Sequence, residues 1–83
     1  MCFYVYMLIS KGNKPVSYVG YTNNLKNRIK LHNSGKGAKF TRGRKWKLIY
    51  SSTFKTKREA MKAEHKLKKD RNKRQTICRN FLK

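Results

Sequence analysis

The pattern of apolar and polar positions along the chain predicts three β-strands. Residues 2–9 are aromatic or aliphatic on both faces, which is typical of a strand covered on both sides, so we expect this strand at the centre of a sheet. The turn-forming segment 11–15 separates it from a second apolar stretch, residues 16–21, and the two should form a hairpin. Residues 46–54 are expected to form the third strand.

The remaining segments have the periodicity and the capping residues of helices. The first helix should be capped by Thr22 or Asn23 and end near residue 33, where glycines follow. A second helix is expected over residues 56–69 and a short third one over residues 75–82. The element order β-β-α-β-α-α predicts an α+β fold in which a small three-stranded antiparallel sheet is flanked by helices.

Charge is the most unusual property of the composition. The chain of 83 residues has 23 Lys and Arg against 3 Asp and Glu, a formal net charge of +20. Such a charge attracts a polyanion, so nucleic acid is the expected partner. A membrane is not expected, because no predicted helix has a large basic face opposite aromatic anchors. We expect residues 1–83 to form a single domain, located in the cytoplasm.

The two cysteines do not predict a disulfide or a metal site that would stabilise this small domain. Cys2 and Cys78 have neither a CxxC partner nor a nearby pair of histidines, so neither a zinc site nor a required disulfide is expected. We interpret both as buried apolar thiols in a reducing compartment.

The scarcity of carboxylates makes each one interpretable. Glu59 has a structural role, because residues 56–59 fit a capping box in which the Thr56 hydroxyl accepts an amide of the first turn and Glu59 reaches back to the cap amide. Asp70 is interpreted as a solvated charge. Glu64 points into the apolar stripe of the same helix, so it should either pair with a basic side chain or hold a metal. The stripe consists of Ala60, Met61, Ala63 and Leu67.

Polar groups also point toward the sheet from the first helix. At 100° per residue, Arg28 and His32 share the apolar face with Leu25 and Ile29. A buried arginine is costly unless something anionic meets it. An internal salt bridge between Arg28 and Glu64 and a structural, helix-end role for His32 both remain open at this point.

Two phenols lie on the neighbouring strands of the hairpin. Tyr6 and Tyr18 should share one face of the sheet, and Gly20 removes a side chain from that face, which leaves a gap beside them. They could be core aromatics of the sheet. Together with an arginine, a histidine and a lone glutamate, however, they are the parts that phosphodiester hydrolysis needs.

At these residues the chain resembles the GIY-YIG nuclease superfamily. Its two signature tripeptides appear as Tyr4-Val5-Tyr6 and Tyr18-Val19-Gly20, followed by Arg28, His32 and Glu64. Tyr4 stands where the first glycine of the signature is usual. The chain is most similar to the small single-domain bacterial branch related to the nuclease domain of the excision-repair protein UvrC, through residues 4–8 and 32–42.

The resemblance implies an endonuclease that uses one Mg²⁺ or Mn²⁺ and no small-molecule organic cofactor. It implies Glu64 as the metal ligand, Tyr18 as the general base and Tyr6 as the hydrogen-bond partner of Tyr18. It also implies Arg28 as the stabiliser of the phosphate and His32 as a supporting catalytic residue. DNA is expected as the substrate in preference to RNA. A non-catalytic module that binds DNA or RNA and retains the fold is the alternative.

A basic segment precedes the third strand. Its glycine-flanked Lys36 lacks the spacing of a Walker site, so we expect a loop that contacts the nucleic-acid backbone. Phe40 and Trp46 are interpreted as stacking or core groups. The predicted nucleic-acid-binding residues are Lys36, Lys39, Arg42, Arg44 and Lys45.

Overall fold

The computed structural model describes residues 2–12, 15–37 and 39–82. The predicted turn at Asn13 and Lys14 and the side chain of Leu82 lie outside these described residues. The elements are β1 (Phe3–Ser10), β2 (Ser17–Thr22), α1 (Leu25–Asn33), a 3₁₀ helix (Lys39–Thr41), β3 (Trp46–Phe54), α2 (Lys57–Lys69) and α3 (Arg71–Leu82).

The sheet is antiparallel with the strand order β2-β1-β3, which confirms the predicted α+β fold and the central position of β1. In the β1–β2 register, Tyr6 lies opposite Gly20 and Leu8 lies opposite Tyr18. A register irregularity interrupts the β1–β3 ladder at Met7. The hairpin therefore puts both phenols on one face, as the alternation of side chains predicts.

Both faces of β1 are covered. On one face Val5 and Met7 pack with Leu67 of α2. On the other face Tyr6 and Leu8 pack with Trp46, and α1 covers them. Fully burying each such side chain contributes roughly 1.5–3 kcal/mol, so the central strand, with an apolar core on either side, stabilises the fold most.

Helix α1 begins later than expected. Its N-cap is Asn24, whose Oδ1 accepts a hydrogen bond from the Asn27 amide at 3.1 Å, and not Thr22 or Asn23. The Thr22 hydroxyl instead accepts from the Asn24 amide at 3.1 Å. Three consecutive residues with capping side chains made the start of the helix ambiguous in sequence.

Helix α2 begins at the predicted cap. The Thr56 hydroxyl accepts from the Glu59 amide at 3.2 Å. The Glu59 carboxylate accepts from the Thr56 hydroxyl at 3.0 Å and not from the cap amide, so only half of the expected capping box forms. The apolar stripe is also narrower than expected, because Met61 is 43% exposed.

The interpretation of Asp70 as a solvated charge was wrong. Its Oδ1 accepts from the Lys73 amide at 3.0 Å, and this bond caps the start of α3. Helix α3 therefore begins at Arg71, four residues before the predicted start at Gln75. The first turn of α3 is polar and has no apolar periodicity, so the pattern alone did not reveal it.

Both cysteines are free, but Cys2 is exposed and Cys78 is half-buried, so the prediction of two buried thiols was wrong. Within the described ranges, no helix has both the length and the apolar character needed to cross a membrane.

Candidate active site

An open cleft of about 390 Å³ lies beside the β1–β2 hairpin. Four of the five residues with predicted catalytic or metal-binding roles line it, each from a different element. They are Tyr6 of β1, Tyr18 of β2, Arg28 of α1 and Glu64 of α2. His32, the fifth, lies behind Tyr6 and Tyr18. The remaining lining residues are Phe3, Gly20, Tyr21, Thr22, Asn23 and Lys57.

Gly20 has a steric role beside Tyr6. A Cβ atom on Gly20 would lie 2.5 Å from the Tyr6 Oη and 3.2 Å from Tyr18 Cε2. The gap expected beside the two phenols is therefore filled in part by Tyr6 itself, whose ring reaches across the strand where Gly20 has no side chain. The phenol is almost completely buried, with 1% exposed.

His32 is fully buried, and both of its ring nitrogens have partners. Its Nε2 lies 2.8 Å from the Tyr6 Oη, and its Nδ1 lies 2.9 Å from Thr41 Oγ1. The Trp46 indole donates to the Thr41 carbonyl at 2.9 Å, which holds that residue in place. Gly37 packs so closely on the imidazole that a Cβ there would overlap Nδ1.

Sequence reasoning missed Thr41. A helical wheel shows that His32 faces the sheet, but nothing in the pattern of the basic segment marks a threonine as its partner. The only available signal was weak: Thr41 is the one short polar side chain between Lys39 and Lys45 that can both donate and accept.

Burial and the nearby Arg28 cation determine the protonation states of His32 and Tyr6. Burial, followed by the nearby Arg28 cation, lowers the pKa of His32, so the imidazole is neutral at pH 7. Burial raises the pKa of Tyr6 to about 12, although hydrogen bonding by Arg28 opposes that rise. Because a guanidinium can only donate, we assign the phenol proton to the bond with Nε2 of His32, and in that tautomer Nδ1–H donates to Thr41.

Arg28 retains binding capacity. Its Nε is buried and has no hydrogen-bond partner among the described residues. A buried donor without an acceptor costs about 1–3 kcal/mol, and a phosphate oxygen arriving in the cleft could remove that cost. The phosphate anion has the charge and the acceptors that a guanidinium binds best.

Glu64 does not form the salt bridge with Arg28 that the sequence left open. In the described part of the chain its carboxylate pairs with Lys68 at 3.6 Å, an i,i+4 pair in which the Glu64 side chain is 14% exposed. Because the Lys68 side chain is 52% exposed, solvent screens the pair, and an i,i+4 helix pair of this kind contributes about 0.3–0.5 kcal/mol. The carboxylate is therefore free to change partner when a ligand enters the cleft.

The donor set fits a hydrated divalent cation. Among the described residues no group of three or more His, Cys, Asp or Glu could hold a metal, and Glu64 is the carboxylate that lines the cleft. Mg²⁺ retains several waters and takes one or two carboxylates together with phosphate oxygens, so one glutamate is sufficient. A zinc site with its several protein ligands does not fit.

Tyr18 lies at the centre of an aromatic cluster. Its ring centroid is 5.0 Å from that of His32 and 6.5 Å from that of Tyr6. Phe40 stacks on its ring at 6.0 Å with an interplanar angle of 22°. Trp46 is buried, so of the two aromatic residues left open by the sequence it is a core group.

The basic residues predicted to bind nucleic acid are all exposed. They lie between α1 and β3; Lys39 begins the 3₁₀ helix, which the sequence did not predict, and the others flank that helix. No ion pair among the described residues engages these cations, so they are available to a polyanion. They are Lys36, Lys39, Arg42, Arg44 and Lys45.

Known proteins resemble the chain over most of its length. A relative named as a UPF0213 protein in Bacillus licheniformis is 60% identical over 53 residues, 63% of this chain and 55% of that protein. A UPF0213 protein of Clostridium perfringens is 52% identical over 67 residues, 80% of this chain and 70% of that protein. The chain thus spans between about half and two thirds of the length of these curated relatives.

A solved structure shares the fold. The solution NMR structure of a UPF0213 protein from Bacillus halodurans matches with a TM-score of 0.51 and 42% identity, covering 94% of this chain and 84% of that one. The family profile described as the GIY-YIG catalytic domain matches residues 2–77. This match includes Tyr6, Tyr18, Arg28 and Glu64, and the chain belongs to the GIY-YIG family.

Proposed function

We propose that the protein is a metal-dependent endonuclease that hydrolyses phosphodiester bonds of DNA, with one divalent cation and Tyr18 as general base. The observation that carries this proposal is a single cleft into which Tyr18, Arg28 and Glu64 project from three different elements. Membership in the GIY-YIG family supports nuclease-type activity. The proposed substrate is DNA in preference to RNA, and the proposed location of the protein is the cytoplasm.

Arg28 would bind the scissile phosphate. Its buried, unpartnered Nε supports this role, because the donor gains an acceptor only when an anion enters. As negative charge grows on the phosphoryl oxygens in the transition state, a preoriented guanidinium stabilises it more than water does. Arg28 also lies close to Tyr6, where its hydrogen bonding opposes the rise in the pKa of that phenol.

Of the two phenols, Tyr18 is the better general base. Tyr6 is buried, its hydroxyl is engaged with His32, and burial raises its pKa to about 12. Tyr18 is half-buried and borders the cleft, so its hydroxyl is the one we assign to meet the attacking water. Tyr6 then serves as a positioning residue through its place between His32, Arg28 and the ring of Tyr18.

Glu64 would hold Mg²⁺ or Mn²⁺ in exchange for its weak pair with Lys68. When bound, the cation supplies charge stabilisation at the phosphoryl oxygens and lowers the pKa of coordinated water. Glu64 and Arg28 line the same cleft, so a phosphate bound there would be within reach of both the cation and the guanidinium.

The test is incubation of the purified protein with linear, nicked and branched DNA and with RNA of the same sequence. Mn²⁺ is present in one series and EDTA in the other. We expect cleavage of DNA with Mn²⁺, no cleavage with EDTA, and loss of cleavage in Glu64→Gln. Failure to cut any substrate, together with tight and salt-sensitive binding, would identify a binding module instead.

A further inference from the structure

Phe40 is an aromatic ring left open to solvent beside the candidate active site. It is 57% exposed, the most exposed large hydrophobic side chain in the described part of the chain. One side of its ring stacks on Tyr18 at 6.0 Å, and its centroid lies 6.2 Å from that of Trp46. The exposed part of the ring gains nothing from apolar burial. Packing on Tyr18 and Trp46 therefore explains only the covered side of Phe40.

The segment that carries Phe40 is anchored at the next residue. Thr41 is fully buried and bonded to His32 through its side chain and to the Trp46 indole through its carbonyl. The backbone at Phe40 is thus tied to the group that orients Tyr6. A ring held in this way loses little additional conformational freedom when something stacks on it.

Exposed cations flank Phe40 along the chain. Lys39 and Arg42 are exposed on either side of Phe40 along the chain, and Arg44 follows. Alternation of cations with an exposed aromatic is the arrangement that binds single-stranded nucleic acid, because the cations contact phosphates and the ring stacks on a base. A lipid or an acidic peptide would need no flat ring held parallel to a second one.

We propose that Phe40 is a stacking platform for an unpaired nucleobase of the bound strand. Its neighbour Tyr18 borders the cleft, so the nucleotide on Phe40 lies next to the phosphate held by Arg28. That position rests on the proposed function, whereas the stacking itself does not. Because bases in a duplex are already stacked and paired, the protein favours strands with at least one unpaired nucleotide at the contact.

The experiment measures binding in EDTA, so that no strand is cut. The probes are a fluorescent twelve-nucleotide oligo(dT) and an abasic oligonucleotide with the same number of phosphates but no bases. We expect the wild-type protein to bind oligo(dT) tighter by about 5- to 150-fold, the usual contribution of stacking on one base. Phe40→Ala should lose this preference and retain its affinity for the abasic strand, and Phe40→Trp should keep the preference.

Phe81→Ala is the matched control. Phe81 is another exposed phenylalanine, but it lies on α3 under the ammonium of Lys47, at 5.0 Å from its ring centroid, so its loss should leave the preference unchanged. Near-ultraviolet circular dichroism of Trp46 checks that each variant is folded.

The proposal is overturned if the wild-type protein binds both strands equally, or if Phe40→Ala weakens binding of both strands by the same factor. The latter result would mean that Phe40 only covers Tyr18 and Trp46. Base preference without any cleavage would leave the stacking role intact and reject the nuclease. Cleavage without base preference would leave the nuclease proposal intact and reject the stacking role.

Discussion

The Tyr6 hydroxyl and the Nε2 atom of His32 lie 2.8 Å apart, although 26 residues separate them in the chain. With the bond from His32 to Thr41, this contact joins β1, α1 and the 3₁₀ helix into one buried polar group. Neither nitrogen of His32 faces the cleft. The geometry therefore favours His32 as a positioning residue for Tyr6 over a direct role in proton transfer from water.

Thr41 should stabilise the fold through its hydroxyl. Thr41→Val preserves shape but leaves Nδ1 of His32 without this partner, which should lower the free energy of unfolding by about 1–3 kcal/mol. Thr41→Ser keeps the hydroxyl and should lose less. Urea unfolding of the three proteins measures the difference. A valine variant as stable as the wild type would show that the buried imidazole needs no acceptor there.

Stability should fall in mild acid because of His32. Burial and the Arg28 cation lower its pKa, so between the ordinary value of 6.5 and the lower folded value only the unfolded chain takes up this proton. The contribution is fully present above pH 6.5 and is lost as the pH falls toward the folded pKa. Melting temperatures from pH 8 to pH 4.5 should show this decline.

Two histidine variants test whether His32 causes this pH dependence of stability. The glutamine in His32→Gln cannot titrate. This variant should be less stable than the wild type at pH 8, but its melting temperature should change less between pH 8 and pH 4.5. His65→Gln, which removes the exposed histidine of α2, should keep the wild-type decline. Equal slopes in all three proteins would assign the acid sensitivity to other groups.

Much of the fold could be predicted because its determinants are local. The continuous run of aromatic and aliphatic residues 2–9 predicted a strand covered on both faces, and Thr56 predicted the start of α2. Helical periodicity correctly oriented His32 toward the sheet. In each case the relevant physics acts between residues close in sequence, so the pattern records it.

The rest depended on contacts that the pattern does not encode. Asp70 caps α3 from the junction of two helices, where its basic neighbours suggested only a solvated charge. The bond of His32 to Thr41 needs a 3₁₀ turn that no periodicity marks. The space above Gly20 is filled by the Tyr6 ring, and only the strand register shows this.

The two glutamates of α2 should separate stability from activity. Glu59→Ala removes the exposed contact with the Thr56 hydroxyl and should cost about 0.5–1 kcal/mol while the cleavage rate is unchanged. Glu64→Ala loses a pair with Lys68, whose side chain is 52% exposed, so stability should change little, but metal-dependent cleavage should disappear. Thermal unfolding and a Mn²⁺ cleavage assay measure both effects. Activity lost in Glu59→Ala and retained in Glu64→Ala would reverse the assignment.

Binding to duplex DNA should depend steeply on salt. If about five phosphates are neutralised, the slope of log K against log salt should be about −4 to −5, and Lys39→Ala or Arg42→Ala should each reduce its magnitude by about 1. Lys73→Ala is the control, because Lys73 lies over the Tyr50 ring at 5.8 Å, on the other side of the sheet. Equal effects of all three substitutions would mean that the positive charge acts without a defined binding surface.

The cleavage rate of Tyr18→Phe with Mn²⁺ tests the central claim most directly. The substitution deletes one oxygen at the cleft and preserves the ring that packs on His32 and Phe40, so stability and DNA affinity should hardly change. Tyr50→Phe is the matched control on the opposite face of the sheet and should cleave normally. We predict a fall of roughly 10²- to 10⁴-fold in Tyr18→Phe, the usual contribution of general acid–base catalysis. A wild-type rate in Tyr18→Phe would show that the phenol is only a packing group and would contradict the proposed catalytic role.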